Sequence, residues 1–134
     1  MTETQIPLEL ITNILSIVIL IALFLKYYQY KKKLEVLKGL DELKKQEKLT
    51  SEDKDFIKKN FKDYKQTLQK EEERLKISYP IFILIAGILL TFFSFSEAII
   101  HLNVVVVAYI YLHVSRIHAR NFVTFLQELN TNID

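Results

Sequence analysis

At 134 residues the chain has room for one domain, but half of it is hydrophobic and a quarter charged, and the two classes lie in separate blocks rather than interleaved. A net charge of +2 argues against nucleic-acid binding through bulk charge, and the absence of Cys excludes disulfides, thiolate metal sites and a Cys nucleophile. With two Gly and two Pro in the whole chain, phosphate loops and Gly-lined pores are disfavoured and long unbroken helices are expected.

The first element is an apolar run at residues 7–28, PLELITNILSIVILIALFLKYY. Some twenty apolar residues suffice to cross a hydrocarbon core of roughly 30 Å. Pro7 suits a first helical turn. Tyr27, Tyr28 and Tyr30 stand beside Lys26 and Lys31 to Lys33, where an interfacial aromatic belt and its basic anchors belong. The start of the chain has no basic n-region and carries Glu3 and Glu9, so this run is expected to be a retained anchor rather than a cleaved signal.

The second element, residues 31–76, is charged and carries two apolar stripes. Leu34, Leu37, Leu40 and Leu43 recur every three residues on a first arm, with Val36 beside them. Thr50 followed by Asp53 is a variant capping box that opens a second arm. Ile57, Phe61, Tyr64 and Leu68 form a heptad-like seam along it, interrupted where Glu71 takes the next apolar place. Two stripes joined by a tight turn predict an antiparallel helical hairpin with Leu37, Leu40, Leu43, Ile57, Phe61, Tyr64 and Leu68 as its interaction seam.

Two further apolar runs follow, at residues 77–96 and 98–117, and an amphipathic tail at 118–134. The tail pattern (Phe122, Val123, Phe125, Leu126, Leu129) suits either the membrane surface or packing on the hairpin. All eighteen Lys and Arg fall between Lys26 and Lys76 or at Arg116 and Arg120. Basic residues flanking apolar spans remain on the cytoplasmic side. The expected protein is therefore an all-α, multi-pass protein of the inner (plasma) membrane. It has three transmembrane helices and a cytoplasmic hairpin between the first and second, its N-terminus outside and its C-terminus cytoplasmic.

Residues 40–61, LDELKKQEKLTSEDKDFIKKNF, resemble the short helical SHOCT module of bacterial proteins. Leu40, Leu43, Leu49, Thr50, Glu52, Asp53 and Phe56 carry the resemblance, while Glu47-Lys48 stands where that module usually has Gly. The resemblance implies oligomer or partner contacts. The order of spans also resembles a miniature of proton-channel stator subunits, without a shared motif.

Three constellations are candidate sites. Glu97 and His101, at i and i+4, read as a pore or proton site at the outer mouth, against a plain reading as headgroup-level residues. His113, Arg116 and Arg120 form a basic stripe at the inner interface, suited to an anionic lipid or to topology anchoring alone. Thr12, Asn13 and Ser16 of the first span, and Thr91, Ser94 and Ser96 of the second, are placed to hydrogen-bond between spans. His101 and His113 are about 18 Å apart by helical rise, too far to clamp one haem. No acid or base sits at the centre of a span, no hydrolase motif is present, and no cofactor is expected. The function expected is a non-enzymatic interaction or assembly protein. Its partners are the lipid bilayer and either further copies of itself or another membrane or cytoplasmic protein, with no nucleic acid. The alternative is a small homo-oligomeric channel or membrane-perturbing effector lined by the second and third spans.

Overall fold

The computed structural model describes residues 7–133 and is all-helical there, without strands. Three helices follow one another: α1 (Leu8–Lys45), α2 (Ser51–Phe92) and α3 (Phe95–Asn130). At 1.5 Å per residue they are about 57, 63 and 54 Å long, each about twice the thickness of a hydrocarbon core. Each contains a stretch long and apolar enough to cross a membrane, and the surplus length carries the charged residues.

The apolar runs and charged arms are therefore not separate helices. α1 continues from its apolar run into the first arm without a break. α2 passes through the 76/77 boundary and carries Pro80 in its interior, although Pro lacks the N–H that an interior position would bond. α3 absorbs both the third apolar run and the tail. The link between α2 and α3 is two residues, with Ser94 as N-cap accepting the Glu97 N–H at 3.4 Å. Glu97 and His101 consequently lie on a helix and not in a loop.

The turn between α1 and α2 is set by local chemistry. The Lys48 N–H reaches the Leu43 carbonyl at 2.8 Å and the Glu47 N–H reaches that of Lys44 at 3.0 Å, the two bonds of a Schellman cap. Glu47 occupies the left-handed position usually given to Gly, with φ 57°. Thr50 then opens α2 with the full capping box: its Oγ1 accepts the Asp53 N–H at 3.0 Å and its own N–H donates to Asp53 Oδ2 at 3.1 Å.

The core sits at this turn end of the molecule. Leu37 and Leu40 of α1, Ile57 of α2, and Phe122, Leu126 and Leu129 of α3 are buried together, with Ile133 closing the end. α3 packs along both α2 and α1, which scarcely meet each other directly. The Lys44 ammonium donates to the Glu128 carbonyl at 2.9 Å and to that of Thr131, so α1 satisfies carbonyls at the C-terminal end of α3. Away from this core the apolar stretches are mostly exposed, and no residue in the most apolar part of α2 is buried. Such surface needs a non-aqueous neighbour.

Candidate functional site

The expected hairpin seam is shared by three helices. Leu37, Leu40 and Ile57 are buried, and Leu43, Phe61 and Tyr64 are half-buried against them, but α3 supplies Phe122, Leu126 and Leu129 to the same cluster. Leu68 is half-buried and lies outside the cluster. The stripes on α1 and α2 thus pack on a third helix, α3.

Two apolar residues of these arms remain uncovered. Val36 is 53% exposed and Phe56 44%. They border one apolar groove of ≈ 160 Å³ between α1 and α2, floored by Leu37 and Tyr64, with Lys33 and Asn60 at its rim. Val36 lies about 15 Å along α1 beyond Lys26, past the end of the apolar run.

At the opposite end of the molecule, His101 is buried and its Nδ1 shares a hydrogen bond of 2.8 Å with Thr12 Oγ1. The Phe93 ring meets the imidazole edge-on at 5.1 Å between centroids. Glu97 is exposed, and no hydrogen bond or ion pair joins it to His101 among the described residues. Of the polar residues expected to link the spans, Thr12 does so, Ser16 is buried without a hydrogen-bond partner, Asn13 and Ser96 are exposed, Thr91 donates to the Gly87 carbonyl of its own helix at 2.7 Å, and Ser94 caps α3.

The residues of the basic stripe share α3 but differ in exposure. His113 is half-buried, its ring against Tyr109 at 4.4 Å. Arg116 borders an open cleft with Glu72, Lys76 and Tyr79, and its Nε is buried without a partner. Arg120 is exposed.

His118 was assigned no role by the sequence. It stacks on Tyr30 of α1 at 4.0 Å and 13°, and the Tyr30 hydroxyl accepts from Asn121 Nδ2 at 3.1 Å. Burial, with Lys26 close by, pushes its imidazole below the ordinary range. The helix faces of Tyr30 and His118 are readable from sequence; that the two faces meet depends on how α1 and α3 align in space. Among the described residues no group of three or more His, Cys, Asp or Glu is placed to hold a metal ion.

No protein-family model, curated protein or solved structure matches this chain.

Proposed function

We propose that the chain is a multi-pass assembly protein of the inner membrane that associates with further copies of itself through the Val36–Phe56 groove. The single observation that carries this reading is the pair of exposed apolar side chains on the charged end of the molecule, beyond the apolar run of α1. The distribution of Lys and Arg supports a cytoplasmic location for that end, with the N-terminus outside and the C-terminus inside. A second copy is the favoured occupant for a geometric reason. Copies inserted in one bilayer at one depth and orientation present the same groove at the same height, so a two-fold pairing of like patches needs no vertical adjustment. Confinement to the membrane plane raises their effective concentration. The resemblance of residues 40–61 to the SHOCT module points the same way. The role is structural rather than catalytic.

The test uses the Cys-free background. Asn60→Cys, at the groove rim, is oxidised in native membranes and the product sized on a non-reducing gel. A crosslinked dimer is expected, and it should be lost when Val36→Asp and Phe56→Asp are added. A chain that stays monomeric at every expression level, with no crosslink from the groove, would overturn the reading.

A further inference from the structure

Where the apolar stretches of α1 and α3 end, two cavities adjoin. The first, ≈ 260 Å³, is a groove between α1 and α3 lined only by apolar surface, with Val18, Ile19, Ala22, Ala108 and Leu112 along it. The second, ≈ 140 Å³, is half polar and lies where all three helices meet; Lys26, Lys33, Thr67, Glu71, Ser115 and His118 form its polar side. Their walls run on directly. Lys26 is one helical turn beyond Ala22, and Ser115 is nearly one turn beyond Leu112. The Lys26 ammonium stands 5.3 Å over the ring of Tyr111, itself part of the apolar groove.

The polar side of this cavity has unspent capacity for an anion. Lys26 and Lys33 have no carboxylate within ion-pair distance among the described residues; Lys33 instead lies 5.5 Å over the Tyr64 ring. Glu71 is the one carboxylate in the lining, and it is engaged by Arg74 at 3.1 Å. Ser115 is 4% exposed and its Oγ has no hydrogen-bond partner. A buried hydroxyl left without a partner carries a desolvation cost that a ligand oxygen would remove.

We propose that this pair of cavities binds one anionic phospholipid, with its phosphate held by Lys26, Lys33 and the Ser115 hydroxyl and one acyl chain laid along Val18, Ala22 and Leu112. The site lies where an apolar helix stretch gives way to basic residues, the level of the headgroups of an anionic leaflet. It is a different site from the His113, Arg116 and Arg120 stripe. The inference shares with the proposed function only the placement of the chain in a membrane and does not depend on self-association.

The test is native mass spectrometry of the full chain in mild detergent, titrated with phosphatidylglycerol or phosphatidylcholine. Phosphatidylglycerol should be retained preferentially, and Lys26→Gln with Lys33→Gln should weaken its binding by about 30-fold. Lys62→Gln, an exposed change outside both cavities, should leave binding unchanged. Lys31 and Lys32 remain as topology anchors in the double variant, and unchanged helicity by circular dichroism verifies its fold. Ser115→Ala, which removes only the hydroxyl, should weaken phosphatidylglycerol without affecting phosphatidylcholine. Glycerol 3-phosphate should compete poorly, because it leaves the apolar groove empty. Equal retention of the two lipids, a preference that survives the lysine changes, or full competition by glycerol 3-phosphate would each overturn the proposal.

Discussion

Thr12 and His101, 89 positions apart in the chain, share a buried hydrogen bond of 2.8 Å that ties the start of α1 to the start of α3. Polar bonds between spans are worth about 0.6 kcal/mol on average, while an abandoned buried partner costs more than a lost bond. Thr12→Val should therefore destabilise the protein by about 1–2 kcal/mol, and Thr12→Ser, which keeps the hydroxyl, should remain near wild type. Unfolding in mixed micelles measures both. Equal effects of the two substitutions would show that the bond contributes nothing.

Leu126 is fully buried between Leu37, Leu40 and Ile57. Leu126→Ala should cost about 2–5 kcal/mol, the range for a core leucine whose cavity does not collapse. The neighbouring exposed Gln127→Ala should stay within about 0.5 kcal/mol. Thermal unfolding followed by circular dichroism separates them. Near-equal midpoints would mean that the C-terminal half of α3 does not hold the arms together.

Glu47 pays a steric penalty at φ 57° that Gly avoids. Glu47→Gly should raise stability by about 1 kcal/mol. Thr50→Ala, three residues on, removes an N-cap and should lower it by about 1 kcal/mol. The two midpoints should move in opposite directions in the same thermal scan.

His118 gives stability a pH dependence of known sign. Its imidazole is held below the ordinary value in the fold, so the unfolded chain takes up its proton first as pH falls. Stability contributed by the neutral ring is complete above the ordinary imidazole value of about 6.5 and is lost as pH drops below it. Unfolding midpoints compared between pH 7.5 and 5.5 should fall more for the wild type than for His118→Phe, which keeps an aromatic ring against Tyr30. Identical slopes would contradict the assignment.

The three apolar stretches were legible because spans are written as blocks, and the Thr50–Asp53 capping box because it is local in sequence. What was not legible required knowing which faces meet. Phe122, Leu126 and Leu129 form a stripe that a membrane surface and a helix pair would both accept, so sequence alone left the destination of the tail open. Pro80 lies inside α2, where one missing N–H does not end a 42-residue helix. Thr12 was recognisable as a residue that links spans; its partner was not. The uncovered groove at Val36 and Phe56 became visible only once α3 had filled the rest of the seam.

The central claim is that three helices cross a bilayer and leave their joined, charged ends in the cytoplasm. Because the chain has no Cys, single cysteines report its sidedness cleanly. With a membrane-impermeant maleimide on intact cells, Ser96→Cys should be labelled at once and Lys59→Cys only after permeabilisation. Labelling of Lys59→Cys from the exterior of intact cells would contradict the account.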